Sequence, residues 1–590
     1  MFYCFLELII ILALLIATFI NEKYPFDKIR VIYIAPLLLT IMRVVVNGFE
    51  IKYLPAYVAS IVIPLGMMLD KTIVRKMIAV ASMLIILVTV FANALFVEKS
   101  YDYDRQFDEA FDTMREHYVL TEEKGIDWDY LYDKYLPQFE TASRHRNGVE
   151  NYKTWLKFTN EFHDGHTAFL IEKESVANKY AMQSFGNDYG LSIIRLSTGE
   201  YVAVNVEGYD NSYSIDSDEE DIVGFYKIKD NYLTAEAREV ADTLKNAGIK
   251  NGTVITKWNG KSVDEYYDDI TYQYFATPVK ENEAFFNPMY VAGIGINMEY
   301  GESLPRTRQS DKGEYALITY IDDNGYEQEI KAPCLGAYMP RLYDTISKID
   351  GGVNITNLTW KCVDEETVIL RISMMAYDTQ SYGDPSLYTD MVTKLRGQVN
   401  AYKESGYKNI IIDMRQNCGG DPFFVQNVAG VFAPTGEHKN MHIATINEES
   451  AKFERDENGK YSVDGVLTYE GEDAWHDGNI ILLVNAECVS AGDDMTYLMG
   501  EYPNVKVMGI TKTNSSCQAV TGIAVGDEGY LSFSAVPNID ENGAVVIDTL
   551  TDREGRTPFD EYIPFDKDSV ISIFDKGEDY QINYIVENAL

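Results

Sequence analysis

The chain has 590 residues, more than one hydrophobic core can organise, so we expect several folding units. It carries 51 Lys and Arg against 91 Asp and Glu, a formal net charge of −40 at pH 7 that would repel the phosphates of a nucleic acid. No basic stripe offsets this charge, so no nucleic-acid partner is expected. Six scattered cysteines without a C-x-x-C pair imply neither structural zinc nor a disulfide framework.

Residues 1–98 are far more apolar than the rest and form the predicted membrane block. Each apolar stretch is close to the ~20 residues that cross a bilayer. The stretches are 2–20, 31–49, 53–69 and 77–97. Basic residues follow the first and third stretches, which by the positive-inside rule makes those loops cytoplasmic. We therefore predict about four transmembrane helices, a multi-pass location in the cell membrane with the lipid bilayer as a partner, and an extracytoplasmic position for everything after Val97. With only three spanning helices the orientation would be inverted.

Residues 101–180 show the spacing of amphipathic helices and are predicted to form a helical subdomain. The apolar positions recur at three and four residues, as Phe107, Phe111, Met114 and Tyr118, then Trp128, Leu131, Tyr132 and Tyr135. Within this segment, Asp164-Gly165 is a turn signal directly before His166.

Residues 185–275 change to short β-rich runs and end in the turn, strand and turn pattern of residues 247–260. This segment resembles a PDZ domain, and residues 189–193 are similar to the loop whose amides hold the terminal carboxylate of a peptide. The resemblance implies Gly190, Leu191 and Ser192 as peptide-binding residues. Another kind of β-rich substrate or spacer domain is the alternative, and we interpret residues 276–355 as a connecting β-rich segment.

Residues 356–590 alternate strand and helix patterns, which predicts an α/β core with a largely parallel sheet. The predicted elements are Val368–Ile372, a helix near 386–405, Asn409–Met414, a helix after 421, Asn479–Val484, a helix after 490, and Val505–Gly509. The chain as a whole is therefore expected to be multi-domain.

The strand predicted over 409–414 is followed by Asn417-Cys-Gly-Gly420. Exposed backbone N–H groups at such paired glycines could stabilise a developing oxyanion. Paired glycines also occur in ordinary strand-to-helix turns. Gly419 and Gly420 are thus candidate oxyanion-hole residues with a simpler structural alternative.

Ser490 follows the apolar strand predicted over 479–484 and opens a helix. Its hydroxyl would lie near the positive end of the helix dipole, and the amide of Ala491 would point to where an oxyanion forms. Ser490 and Asp493 also fit a capping box, which would stabilise the helix by about 1 kcal/mol and do nothing more. This segment alone leaves nucleophile and helix cap both open.

His166 is the candidate general base, which must come from a distant part of the sequence because catalytic triads are defined by geometry and not by order. A single histidine after a turn is more often solvated or packed in a core. Only seven histidines are present, and His163 is the close rival because the other five lie in no comparable motif.

Together these motifs resemble those of the tail-specific or C-terminal processing peptidases and their tricorn-core relatives. The matching segments are Phe162-His-Asp-Gly-His-Thr-Ala-Phe169, residues 411–420 and residues 482–493. The resemblance implies a catalytic core of the crotonase or Clp-protease type, Ser490 as the nucleophile of a serine peptidase, and protein or peptide substrates. It implies no metal and no organic cofactor.

One loop departs from the pattern of the processing peptidases, which use a lysine base there. In residues 509–518, Ser515 stands about where that lysine would be, and Lys512 lies a few residues early. The tricorn-like branch pairs serine with histidine, which favours His166. Its carboxylate would lie near residues 559–566, where Asp560 and Glu561 are the candidates although neither spacing matches cleanly.

We therefore expect a membrane-anchored serine endopeptidase that hydrolyses extracytoplasmic proteins by a Ser–His mechanism with a backbone oxyanion hole. The alternative is a catalytically inactive, PDZ-containing peptide-binding or signalling membrane protein in which the peptidase fold is a scaffold. A thiol mechanism through Cys488 or Cys517 is a third hypothesis.

Overall fold

The computed structural model describes residues 9–16, 18, 30–47, 53–69, 71–99, 101–206, 242–302, 315–352, 357–376, 388–526 and 529–590. The chain divides into two compact units. The first comprises Met1–Arg105 and Ala142–Asn147, and the second comprises Gln106–Thr141 and Gly148–Leu590.

In the described part of the first unit, residues 9–16 are helical, and the apolar helices Ala35–Asn47 (α1), Leu54–Gly66 (α2) and Thr72–Lys99 (α3) follow. They overlap the predicted second, third and fourth spans, whereas the first predicted span lies mostly outside the described residues. Within the described residues only Thr72–Phe91 is both long and apolar enough to cross a membrane. The prediction of several spanning helices is therefore not confirmed.

Aromatic packing organises the helical part of the second unit. Its elements include Tyr103–His117 (α4), Thr121–Lys124 (α5), Trp128–His145 (α6) and Gly148–Asn160 (α7). Phe107 stacks on Phe139 with ring centroids 4.4 Å apart and meets Phe158 edge to face at 5.4 Å. The periodic apolar positions predicted for α4 are buried, which confirms that face as the core side.

Short strands and helices follow this helical part. They are Ala168–Ile171 (β1), Glu174–Ser184 (α8), Asn187–Asp188 (β2), Ser192–Arg195 (β3), Tyr201–Val204 (β4), Ile255–Trp258 (β5), Lys280–Val291 (α9), Tyr315–Ile321 (β6), Glu327–Pro333 (β7), Gly336–Ala337 (β8) and Met339–Ile349 (α10). Strand β5 pairs with β6, and β6 pairs with β7. The segments 185–275 and 276–355 therefore share one sheet, and a separate PDZ-like domain is not confirmed.

The remaining part alternates strands and helices. They are Thr359–Cys362 (β9), Thr367–Arg371 (β10), Tyr388–Glu404 (α11), Asn409–Asp413 (β11), Pro422–Phe432 (α12), Gly436–Ala444 (β12), Ile446–Asn447 (β13), Lys452–Phe453 (β14), Val463–Gly471 (β15), Asn479–Leu483 (β16), Ala491–Met499 (α13), Val505–Gly509 (β17), Ala519–Val525 (β18), Gly529–Val536 (β19), Asn538–Ile539 (β20), Glu561–Tyr562 (β21), Lys567–Val570 (α14) and Tyr580–Asn588 (α15).

A six-stranded sheet forms the centre of this part, in the order β21-β17-β16-β11-β10-β9. All neighbouring pairs are parallel except β9 with β10, which confirms the predicted largely parallel α/β core. Along β11, Ile410 and Ile412 join one hydrophobic cluster, whereas Ile411 joins another. The sheet is thus covered on both faces, which is why its strands are continuous apolar runs.

A smaller sheet connects the helical part to this core. Strand β1 pairs antiparallel with β19, with Ala168 opposite Ser532, and β19 pairs with β18. Because β1 begins two residues after His166, this pairing holds the loop that carries His166 against the core.

A buried ion-pair network supports the loop that follows β11. Arg415 is 1% exposed and donates to both oxygens of Asp413, at 3.0 and 2.9 Å, and to both oxygens of Asp579, at 2.9 and 2.7 Å. Arg371 also pairs with Asp413. Since Asp579 caps α15 at its first turn, Arg415 ties the glycine-containing loop to the last helix.

Replacing Arg415 by methionine is expected to lower the free energy of unfolding by about 3–5 kcal/mol, because Asp413 would remain buried without its main partner. The matched control is Lys408→Met, which breaks an exposed pair with Glu366 and should cost at most about 1 kcal/mol. Urea unfolding of the full chain in detergent micelles, followed by tryptophan fluorescence, measures both. Equal losses would contradict the assigned role of Arg415.

The same network predicts an acid limit of stability. Burial alone would raise the pKa of Asp413, but Arg415 and Arg371 outweigh burial and lower the pKa from 3.8 to about 2. The ionised carboxylate is then favoured in the folded state above the pKa of the unfolded chain. The ionised Asp413 therefore contributes to the free energy of unfolding above pH ~4, and this contribution is lost as the pH falls toward ~2. The acid-induced decrease in the free energy of unfolding should be smaller in Arg415→Met.

Candidate active site

Ser490 lies in the tight turn between β16 and α13. Its backbone has φ 63° and ψ −128°, a left-handed conformation that costs a non-glycine residue about 1–3 kcal/mol. In the described part of the chain its hydroxyl makes no capping hydrogen bond to α13. The helix-cap interpretation is therefore not realised, and the half-buried hydroxyl remains available at the start of the helix.

The glycine turn after β11 lies directly against this serine. A Cβ atom added to Gly419, where φ is +86°, would be 2.4 Å from Ser490 Cβ and 2.8 Å from the carbonyl oxygen of Val489. Val489 N donates to the carbonyl of Asn417 at 3.0 Å, and Asn417 Oδ1 accepts from Gly419 N at 2.9 Å. The close approach explains why glycine is required at position 419.

Two further candidate oxyanion-hole residues flank Ser490. Ala491 begins α13, so its N–H is one of the amides that a helix cannot pair internally. Gly420, with φ +144°, forms an isolated parallel bridge with Met375, and a Cβ atom added to it would be 2.4 Å from the carbonyl oxygen of Met375. The structure thus brings Ser490, Ala491, Gly419 and Gly420 into one cluster.

The His166 loop is built around a buried carboxylate. Asp164 accepts hydrogen bonds from Tyr118 Oη at 3.1 Å, Thr167 Oγ1 at 3.0 Å, Ser534 Oγ at 2.8 Å and the backbone N–H of His166 at 2.9 Å. Four donors fix the loop and leave this carboxylate fully bonded. The turn is therefore rigid where His166 projects from it.

The imidazole of His166 is 9% exposed, and its Nδ1 atom has no hydrogen-bond partner among the described residues. Burial lowers the pKa of this imidazole, Asp164 opposes that shift, and Lys124 adds to it. A lowered pKa keeps the ring neutral at physiological pH, which is the state that a general base requires.

Ser516 connects the serine turn to the histidine loop. Its carbonyl accepts the backbone N–H of Ser490 at 2.7 Å, and its hydroxyl accepts the backbone N–H of Gly165 at 2.8 Å. Asp493 holds this loop by accepting the amides of Ser515 and Ser516 at 3.1 and 3.0 Å. No hydrogen bond joins the side chains of Ser490 and His166 in the described residues, but Ser516 links the backbone of Ser490 to that of Gly165, the residue before His166.

The two carboxylates predicted from sequence lie elsewhere. Asp560 Oδ2 accepts the backbone N–H of Val507 at 2.7 Å, and Glu561 pairs with Lys506 at 2.5 Å at the edge of the central sheet. The structure gives both residues these partners and does not place either beside His166.

Sequence reasoning missed Asp548. This buried carboxylate accepts Cys517 N at 2.8 Å and Gln518 Nε2 at 2.6 Å through Oδ2, while Oδ1 has no partner among the described residues. Burial raises its pKa to about 7, against the opposing effect of Lys124. The signal in the sequence was an aspartate directly after the apolar run 544–547, a position where a carboxylate is rarely found unless it is bonded.

Lys512, the alternative base, is also committed to other partners. Its ammonium pairs with Glu281 at 2.6 Å, while Asn282 bonds its backbone carbonyl and N–H at 3.0 Å each. The thiol alternative loses support because burial raises the pKa of both Cys488 and Cys517 well above the usual range, and a protonated thiol is a poor nucleophile.

The predicted peptide-binding loop has internal partners. Gly190 N donates to Asp188 Oδ1 at 2.8 Å, and Arg341 pairs with the same carboxylate at 2.7 Å. Leu191 and Ser192 are fully buried. The carboxylate of Asp188 thus already accepts the hydrogen bond from the amide of Gly190 that the carboxylate of a bound peptide would need.

Two models of known protein families match parts of the chain. The model of peptidase family S41 matches residues 367–549, and the model of the tricorn protease C1 domain matches residues 100–145. No curated protein matches the chain.

Three of the similar solved structures show the range of the likeness. Mature CPAF complexed with lactacystin is 12% identical over 84% of this chain and 100% of that chain, with a TM-score of 0.45. The photosystem II D1 C-terminal processing protease is 14% identical over 80% and 97%, with a TM-score of 0.32. The tricorn protease is 14% identical over 82% and 36%, with a TM-score of 0.33.

Proposed function

We propose that this chain, which matches the model of peptidase family S41 over residues 367–549 and that of the tricorn protease C1 domain over residues 100–145, is a membrane-anchored serine endopeptidase that cleaves proteins outside the cytoplasm, with Ser490 as nucleophile and His166 as general base. The observation that carries this assignment is the backbone of Ser490. A left-handed serine whose hydroxyl caps nothing is a costly way to begin a helix, and that cost is expected where the hydroxyl has a chemical task.

In the proposed reaction the neutral imidazole of His166 takes the proton of the Ser490 hydroxyl as the oxygen attacks a peptide carbonyl. The resulting imidazolium then gives that proton to the leaving amine, and water repeats the sequence on the acyl-enzyme. The two side chains must first come within hydrogen-bonding distance, about 2.6–3.2 Å, and substrate binding is the step that can close a looser arrangement.

The oxyanion is assigned to the amide of Ala491 and to the glycine turn. The N–H of Gly419 donates to Asn417 Oδ1 in this conformation, so its participation requires a small rotation of the turn. Amides fixed in place before the reaction stabilise the developing charge without reorganisation, which makes them effective despite having no side chain.

Asp548 is the best-supported third residue. Its Oδ1 and His166 Nδ1 are both buried and have no hydrogen-bond partner among the residues that the structure describes, and Lys124 and Asp164 act on the pKa of both side chains. We assign Asp548 to orient the imidazole and stabilise the imidazolium, a role that a carboxylate fills in other serine peptidases.

The membrane anchor is proposed from the first unit. Leu65, Val88 and Phe91 are 59%, 67% and 58% exposed although the helices that carry them hold few charges. Exposed apolar side chains on apolar helices are expected where lipid replaces water. Lys71 directly before α3, and Arg75 and Lys76 near its start, favour a cytoplasmic position for the beginning of this helix, so the remainder of the chain would lie outside.

The full chain in detergent micelles should react with a fluorophosphonate probe and should cleave an unfolded protein such as reduced casein. Both signals should be absent from Ser490→Ala and should persist after iodoacetamide treatment, since the nucleophile is an alcohol. A chain that binds peptides but neither labels nor cleaves would support the inactive scaffold instead.

A further inference from the structure

A pocket of about 180 Å³ opens beside the His166 loop and has no role in the chemistry described above. Three segments line it: the end of α7, the loop and strand from His163 to Leu170, and the extended segment Gln273–Thr277. Phe185 adds one more ring. This volume suits a single large side chain or several water molecules.

Five aromatic side chains contribute to the wall. Tyr152 and Phe169 lie 6.3 Å apart, Phe185 and Tyr274 lie 5.8 Å apart, and Tyr274 contacts Phe275 at 4.5 Å. Phe169 also stacks on Trp155 with ring centroids 4.9 Å apart, so the rings of the wall are packed in place and a further ring would meet the parts of them that face the pocket.

The pocket offers no free charge. Asp164 is its only carboxylate, and four donors already bond it. Burial, with Arg553 and Lys124 adding to it, lowers the pKa of His163 to about 3, so the imidazole that faces the pocket is neutral at physiological pH. A charged side chain placed here would lose its hydration without gaining an ion partner, so the pocket disfavours charged side chains.

The wall is also held in place before any ligand arrives. Asn514 Nδ2 donates to the carbonyl of Ala276 at 2.9 Å, Arg553 donates to the carbonyls of Thr277 and Pro278, and Tyr274 N donates to Tyr290. Asn514 is two residues from Ser516, the residue that bonds both Ser490 and the His166 loop. The pocket and the reactive groups therefore share one supporting loop.

We propose that this pocket, which we call the Phe169 pocket, binds an uncharged aromatic or large aliphatic side chain of the substrate on the leaving-group side of the scissile bond. The inference rests on the proposed peptidase function. A base that protonates the leaving amine lies on that side of the bond, and the pocket is lined by His163, Asp164 and Thr167 from the same loop as His166.

The test uses internally quenched peptides that differ at a single position after the cleaved bond, where Phe, Leu, Ala, Lys or Glu is placed. With the full chain in detergent, kcat/KM for the Phe peptide should exceed that for the Lys and Glu peptides at least tenfold. Leu170 lies at the rim and is 47% exposed, so Leu170→Asp should fold and should raise kcat/KM for the Lys peptide about tenfold relative to the Phe peptide.

Val520→Asp is the matched control, because Val520 is 51% exposed in the same small sheet but does not line the pocket. It should leave the order of the peptides unchanged. Ala168→Phe provides a second test, since a larger side chain in the wall should reduce cleavage of the Phe peptide more than that of the Ala peptide.

Binding separates this inference from the proposed function. Anisotropy of labelled Phe and Lys peptides with Ser490→Ala measures the pocket without turnover, and tighter binding of the Phe peptide that Leu170→Asp reverses would support the pocket even if the wild type cleaves nothing. Equal binding of the Phe and Lys peptides, or a Leu170→Asp variant with unchanged selectivity between them, would overturn it.

Discussion

Replacing His166 by alanine is expected to lower kcat by about 10⁴–10⁶-fold, as much as replacing Ser490. The serine hydroxyl cannot lose its proton without a base, and the two residues act as a unit. The double variant Ser490→Ala, His166→Ala should therefore be no slower than either single variant. Turnover of a quenched peptide by the full chain measures all three.

The matched control for the base is Lys512→Ala, which should retain kcat within a few-fold because Lys512 is paired with Glu281 on another part of the surface. The kcat of Asp548→Asn should lie between those of His166→Ala and Lys512→Ala, with a loss of up to about 10⁴-fold if Asp548 orients the imidazole. A large loss in Lys512→Ala with activity kept in His166→Ala would reverse the assignment of the base.

The pH profile gives an independent check. His166 must be neutral to act, so kcat/KM should fall as the pH drops through the pKa of this imidazole. Burial places that pKa below its ordinary value of 6.5, so the acid limb should lie below pH 6.5. A limb clearly above pH 6.5 would contradict the buried, uncharged environment described for His166.

The strands of the central sheet could be predicted from the sequence because the pattern that identifies each strand lies within the strand itself. A strand buried on both faces is a continuous apolar run, and the runs at 367–371, 409–413, 479–483 and 505–509 are each followed by a turn or helix signal. Their boundaries were predicted to within one residue. Helix α4 was also clear, because its apolar face repeats at helical spacing.

The hydrogen bonds that hold the site together could not be predicted, because they join residues that are far apart in the sequence. Nothing in the segment around Ser490 shows that Ser516 joins this segment to Gly165. Gly165 lies 351 residues before Ser516 in the chain. The third residue stays a prediction for the same reason: Asp560 and Glu561 lie near the expected motif, whereas the burial of Asp548 and the lack of a partner for its Oδ1 among the described residues become visible only in the folded structure. The PDZ resemblance likewise could not reveal that Asp188 bonds the amide of Gly190.

Replacing Gly419 by alanine is expected to lower kcat by about 10²–10³-fold, the loss typical of a damaged oxyanion hole. The new Cβ would stand 2.4 Å from Ser490 Cβ, so either the glycine turn or the serine turn must move. Gly419 and Ser490 both have positive φ angles. Neither residue can move to a frequently populated backbone conformation without breaking the turn in which it lies.

Gly406→Ala separates that displacement from backbone strain. Gly406 has φ +90°, close to the +86° of Gly419, but a Cβ there would meet nothing within 4 Å. Both variants should lose about 1 kcal/mol of stability from the left-handed backbone, and only Gly419→Ala should lose activity. Equal activity in the two variants would mean that the contact between the glycine turn and Ser490 does not matter for catalysis. Reduced labelling of Gly419→Ala by a fluorophosphonate would place the damage at the nucleophile itself, since that reaction needs Ser490 and its oxyanion site but no peptide contacts.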